Sequence, residues 1–212
     1  MFKIHKNEPK FYSDAKRKVK SPLVSSAWYE IGKNEDTFKA ELREHILLKE
    51  QNMLCSYCER EIESDINSSN TDHFKTRSLF PRDTLNYNNL LISCKSPYHC
   101  EKIKDNFGLI SSDYIKIINP VFEDSDNFFD YSMNGDILVK DGLNRIDKEK
   151  AEFTIKIFEL NNSSLQKDRA KIGESLKNYY DYAYEIEDIL DDISSYPSFI
   201  KNIYEKIGEL SD

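Results

Sequence analysis

The amino-acid sequence predicts an α+β protein that is mostly helical, and three observations carry that expectation. From residue 147 onward Gly and Pro nearly vanish while apolar residues recur at helical spacing. Asn134-Gly135 lies between two β-prone arms, the strongest hairpin signal in the chain. All four cysteines fall between residues 55 and 100, among short segments bounded by loop chemistry.

The chain has 212 residues, 39% hydrophobic, with 13 Tyr, 12 Phe and one Trp. That suits one domain, or one with an appendage, able to bury a core without staples. With 32% charged residues, no apolar run near the roughly 18 residues that cross a bilayer and no apolar segment behind Met1, the expectation is a cytoplasmic protein with no membrane association. The net charge of −8 hides an asymmetry. Residues 1–20 carry seven bases against two acids, and residues 147–212 carry nine against fifteen. A phosphate-binding surface is therefore expected toward the N-terminal part, with solvated surface the ordinary alternative.

Four stretches follow from the pattern. Residues 1–52 form a basic segment, closed at Ser21-Pro22, and then an amphipathic helix over residues 37–52 with Phe38, Leu42, Ile46 and Leu47 on one face. Residues 53–110 hold the cysteines, a polar loop over 64–70, a short strand or turn at Thr71-Asp72-His73-Phe74, a mixed run over 86–94, and one or two helical turns after Cys100 that Gly108 stops. Residues 111–146 are a linker, broken at Asn119-Pro120, and the hairpin. Residues 147–212 are an acidic helical region of two to four helices, interrupted at Asn161–Ser164 and again before Pro197. Its core-spaced residues run Phe153, Ile157, Leu160, Leu165, Ile172, Leu176, Tyr180, Ala183, Ile186 and Leu190.

Cys55-x2-Cys58 and Cys94-x5-Cys100 have the economy of a metal site. Zinc suits them because four thiolates satisfy its tetrahedral geometry, and a closed four-sulfur site is structural. Disulfides are disfavoured in a reducing cytosol, and a redox pair lacks its βαβ context. His99, beside Cys100, is an alternative fourth ligand.

Asp72-His73 lies between the two cysteine pairs, joining a hard oxygen ligand suited to Mg²⁺ or Mn²⁺ to an imidazole suited to general-base work. Glu101 directly follows the last cysteine and offers a second carboxylate. Phosphodiester hydrolysis needs such a set, a base for water and a metal for the phosphate.

The motifs Cys55-Ser-Tyr-Cys58-Glu-Arg, Asp72-His73-Phe-Lys-Thr-Arg77-Ser, Asn88-Asn89-Leu-Leu-Ile-Ser-Cys94 and Cys100-Glu-Lys-Ile-Lys104-Asp resemble those of an HNH endonuclease with a ββα-metal finger. With softer flanks the likeness covers most of residues 1–146. The fuller pattern is similar to the HNH subunit of Septu-type bacterial anti-phage defence, which also accompanies some retrons and works beside an ATPase. The resemblance implies that His73 is the general base and that Asp72 binds the catalytic Mg²⁺ or Mn²⁺ with Glu101. It implies that Asn89 orients the base or supports the finger, that Cys55, Cys58, Cys94 and Cys100 hold structural zinc, and that Arg77 and Lys104 contact phosphate. Glu101 stands where many members have His or Asn, and Thr76 where Pro is common. The implied activity is endonucleolytic hydrolysis of nucleic acid, DNA by default with RNA or tRNA as the other class, by an effector or partner-released toxin. The acidic run Glu185–Asp192 would repel nucleic acid and suits the ATPase partner. The competing expectation is a catalytically silent zinc-knuckle adaptor for that ATPase.

Overall fold

A computed structural model describes residues 1–33, 35 and 37–209. The chain is α+β and mostly helical. α1 (Lys10–Arg17), the single turn α2 (Ala27–Glu30) and α3 (Phe38–Glu50) come first, then β1 (Ser69–His73), β2 (Leu90–Cys94) and α4 (Glu101–Asn106). The hairpin β3 (Phe129–Tyr131) and β4 (Ile137–Val139) follows, and α5 (Arg145–Ile157), α6 (Ser163–Asp181), α7 (Ile186–Asp192) and α8 (Pro197–Glu209) end the chain. Among the described residues no helix is long and apolar enough to cross a membrane.

α3 forms where the apolar periodicity placed it, and Phe38, Leu42, Ile46 and Leu47 are all buried. Its last turn leads to Gln51, whose buried amide Nε2 donates to Leu54 O (2.8 Å) and Ile92 O (2.9 Å) while Oε1 accepts from Ile92 N (2.8 Å). One side chain thus ties the segment before Cys55 to the middle of β2. β1 and β2 pair antiparallel, Ser69 opposite Cys94 and His73 opposite Leu90. The buried Leu90, Leu91 and Ile92 anchor the ribbon in the core.

Helix α4 starts at Cys100, which adopts a left-handed backbone (φ 63°) and donates its N–H to Phe158 O at 2.8 Å. Neighbouring links run the same way: Tyr196 N donates to Glu59 O at 2.8 Å, and Ser198 N to Glu59 Oε2 at 2.9 Å. The C-terminal helices therefore grip the cysteine-bearing segment by its backbone.

The hairpin turns at Asn134-Gly135 with a three-residue tip: Ser132 N donates to Asp136 O at 3.0 Å, and Gly135 N to Ser132 O at 2.9 Å. Gly135, at φ +83°, ends this tight turn and abuts α6, where an added Cβ would lie 2.2 Å from Gln166 O. Arg169 of α6 donates from Nε to Gly135 O at 2.6 Å, although its side chain is almost fully buried. The helical spacing of the last third yields four helices, but not every periodic residue is core. Ala183 is exposed at φ 54°, beyond the end of α6, while Phe153 and Tyr180 are only half-buried. Gly173 and Arg169 take buried α6 positions instead.

Gly135→Ala combines a left-handed backbone with a clash against α6 backbone. It is expected to cost roughly 2–5 kcal/mol, read as a lower urea midpoint. A substitution at Gly142, also at positive φ but with open space around its added Cβ, should cost less.

Candidate metal centre and carboxylate cleft

The four cysteine sulfurs converge. Cys55 and Cys58 come from the knuckle, Cys94 from the end of β2 and Cys100 from the start of α4, and every Sγ lies within 4.8 Å of the others, buried. Cys55 Sγ is 3.8 Å from Cys100 Sγ, and Cys58 Sγ is 4.0 Å from Cys94 Sγ. A tetrahedral ion with metal–sulfur bonds of about 2.3 Å requires sulfurs about 3.8 Å apart, so the set fits such an ion without rearrangement. The spacing is nearly twice the roughly 2.05 Å of a disulfide bond. Cys94 N donates to Cys55 Sγ at 3.3 Å. His99 is buried beside the set, its Nδ1 3.1 Å from Cys100 Sγ and 3.6 Å from Cys94 Sγ. The fourth corner belongs to Cys100, and His99 sits outside the four-sulfur set as a ring that touches two of its members.

A second group lies one strand away. Asp72 of β1 and Glu101 and Asp105 of α4 each place a carboxylate oxygen within 4.8 Å of the others. Their oxygens are hard donors of the kind a divalent cation takes, although Lys104 Nζ already engages both Asp72 oxygens. These residues share an open cleft of about 600 Å³ with His73, Arg77, Trp28 and Tyr29.

Each carboxylate is held differently. Both Asp72 oxygens accept from Lys104 Nζ, at 2.7 and 2.5 Å, and Oδ2 also accepts from the Tyr57 hydroxyl. Burial, and then Asp72 itself, push the Tyr57 hydroxyl pKa far up, so its proton stays on. Glu101 accepts from Asn70 Nδ2 through both oxygens, at 2.8 and 2.9 Å. Burial first, and the Asp72 charge second, raise the Glu101 pKa to about 7. An ion at this site would remove that penalty, since opposite charge favours the ionised carboxylate.

His73 is buried, and its Nε2 lies 3.0 Å from Thr84 O. A carbonyl can only accept, so this contact assigns the proton to Nε2 and leaves Nδ1 the unprotonated ring nitrogen. Burial lowers the imidazole pKa to about 4 despite the neighbouring Asp72 charge, which keeps the ring neutral at neutral pH. Trp28 packs edge-on against it, centroids 4.7 Å apart. Asn89 does not reach the carboxylates. Its Oδ1 accepts from Lys75 N (2.7 Å), and its Nδ2 donates to Lys75 O and Asp83 O (both 3.0 Å). It therefore fixes the Asp83–Thr84 peptide whose neighbouring carbonyl receives the His73 proton.

The two basic residues part company. Arg77 lines the cleft, with its guanidinium over the Tyr29 ring. Lys104, expected to face phosphate, is instead buried under Asp72, with its ammonium also 2.9 Å from His73 O. Four of the seven bases of the leader also have acidic partners, two of them outside it. Lys6 pairs with Glu50 at 2.5 Å, Lys16 with Glu8, Arg17 with Asp14 and Lys18 with Glu35.

Sequence reasoning missed Asp105, Tyr57, Asn70, Trp28 and Tyr29. Only Asp105 carried a usable signal, since Glu101 and Asp105 stand at i,i+4 on one helix face.

Two outcomes follow. Purified chain is expected to carry one tightly held metal ion on the four thiols, measured by elemental analysis, and Cys58→Ser should lose most of it together with thermal stability. The second concerns pH. The folded pKa of His73, about 4, lies below its ordinary 6.5. The unfolded chain therefore takes up a proton that the folded chain does not, and the His73 contribution to stability is complete above pH 6.5 and lost as pH falls toward 4. Its size is on the order of 3 kcal/mol. Urea unfolding from pH 7 to 4 should show a steeper loss in the wild type than in His73→Gln, and parallel curves would contradict the assignment.

No family model matches the chain and no curated protein matches its sequence, so the functional reading rests on the residues of the site.

Proposed function

We propose that this chain is a metal-dependent HNH-type endonuclease that hydrolyses phosphodiester bonds of nucleic acid, DNA by default and RNA or tRNA as the other class. In this reading it is the effector of a bacterial anti-phage defence system that acts with an ATPase partner. The supporting observation is a single cleft that gathers a neutral imidazole of fixed tautomer and three carboxylates whose oxygens lie within 4.8 Å of one another.

In this reading His73 accepts the proton of the attacking water at Nδ1 while its Nε2–H stays on Thr84 O, with Asn89 holding that loop. Asp72 and Glu101, with Asp105 added, would hold Mg²⁺ or Mn²⁺. When bound, such an ion neutralises the scissile phosphate and the leaving oxygen. Lys104 supplies a fixed positive charge beneath Asp72, which lets carboxylates crowd together. Tyr57 and Asn70 fix the directions in which the oxygens point. The four thiolates hold structural zinc, which sets β2 and α4 at the angle the carboxylates need. Arg77 is the cation left to meet a phosphate. The exposed acids of α7, Glu187, Asp188, Asp191 and Asp192, support a protein partner in place of nucleic acid.

One observation favours the second reading, a silent zinc-knuckle adaptor for the ATPase. Lys104 already engages both Asp72 oxygens, as an internal cation would in a site that has given up its metal. The two readings part at His73→Ala. The chain co-expressed with its proposed ATPase partner should cut supercoiled plasmid or total tRNA with Mg²⁺ or Mn²⁺, and the variant should lose that cutting by about a hundredfold or more while keeping its zinc. No cutting under either metal, with zinc and partner present, would leave the adaptor.

A further inference from the structure

Tyr29 is 71% exposed at the rim of the cleft, yet its ring is not alone: the Arg77 Cζ stands 5.0 Å from its centroid. The backbone that presents it is fixed. Ala27 is fully buried, Lys39 Nζ donates to Trp28 O at 2.9 Å and lies 3.3 Å from the Trp28 ring centroid, and Trp28 packs on His73. A rigid aromatic ring, backed by a guanidinium and sharing a cleft with Asp72 and His73, has the composition of a base-stacking surface.

We infer that Tyr29 and Arg77 form a platform that stacks an unpaired base, so that the cleft takes single-stranded or splayed-out nucleotides in preference to duplex. This rests on the phosphodiesterase reading of the same cleft. The stacking surface, and not charge, separates the two forms of substrate. Duplex affinity comes chiefly from phosphates neutralised by Lys and Arg. Here the net charge is −8, and Arg77 is the one Lys or Arg among the residues lining the cleft, against three carboxylates. Single strands meet the same phosphate repulsion, and stacking on an aromatic face adds about 1–3 kcal/mol per base to their binding. In a duplex that face is covered by neighbouring pairs. The cleft volume of about 600 Å³ is large enough to admit an extruded nucleotide.

The test uses the full chain with His73→Ala to prevent cutting, and a labelled single-stranded dodecamer beside the duplex of the same sequence. Trp28, the one tryptophan of the chain, reports occupancy of the cleft through its fluorescence. The single strand is expected to bind at least about tenfold more tightly than the duplex. Tyr29→Ala should weaken single-strand binding about tenfold, Tyr29→Phe should retain it, and neither should move the duplex. In parallel, Tyr29→Ala with His73 intact should lose cutting of the single strand. Equal or tighter duplex binding, or a Tyr29→Ala variant that binds the single strand normally, overturns the platform. If His73-dependent cutting persists in that case, the nuclease reading stands without it. Failure to bind or cut either form, by the chain alone and by the chain with its proposed ATPase partner, overturns both.

Discussion

The convergence of four buried cysteine sulfurs, a set that could hold a metal ion such as zinc, organises the central part of the molecule. The sulfurs come from the knuckle at 55–58, the end of β2 and the start of α4, and they meet within 4.8 Å. Between the two cysteine pairs the chain must travel out and back, and β1, the intervening loop and β2 are that path. The carboxylate cleft is a by-product of it. Asp72 sits one pair from the loop end of the ribbon, opposite Leu91, and Glu101 is the residue after the last cysteine. Both inherit their positions from the sulfur cluster.

Much of the fold could be read in advance because it rests on short-range rules. The apolar stripe of α3, the turn at Asn134-Gly135 and the breaks at Asn161–Ser164 and Pro197 each depend on residues within a few positions. The four cysteines and the closeness of Asp72, His73 and Glu101 were legible for a related reason: metal-type spacing converts sequence separation into spatial proximity. The rest depends on contacts between distant segments. Nothing near Lys104 in sequence announces that its ammonium lies under a carboxylate 32 positions away. Nothing in the run from Ser25 to Tyr29 announces that it forms a wall against His73. Arg169 looks like surface by composition, and only the fold shows it reaching the hairpin tip.

The pairing of Lys104 with Asp72 deserves separate weight in the energetics. A buried ammonium and carboxylate recover their lost hydration only when their hydrogen bonds are complete. This pair has two bonds to the carboxylate, a third to His73 O at 2.9 Å and the added Tyr57 hydroxyl. Glu101 has its pKa raised, chiefly by burial and then by the Asp72 charge, while the more exposed Asp105 lies 3.6 Å from Lys104 Nζ. The cleft is thus electrostatically unfinished on its acidic side while it is saturated at Asp72.

The backbone bonds from Cys100 to Phe158, and from Glu59 to Tyr196 and Ser198, bear on how such a protein can change over evolutionary time. Each places a partner atom of the cysteine-bearing segment on the C-terminal helices, so that segment is not a cassette that can be cut out and grafted elsewhere. Insertions or exchanges within α5, or between α7 and α8, would strip hydrogen bonds from the residues flanking the sulfurs. Substitutions on the outward side of α7, whose acids face solvent, strip no such bond. In a lineage of such chains, the surface that meets other molecules at that end could therefore be rewritten while the sulfur cluster and its cleft stay as they are.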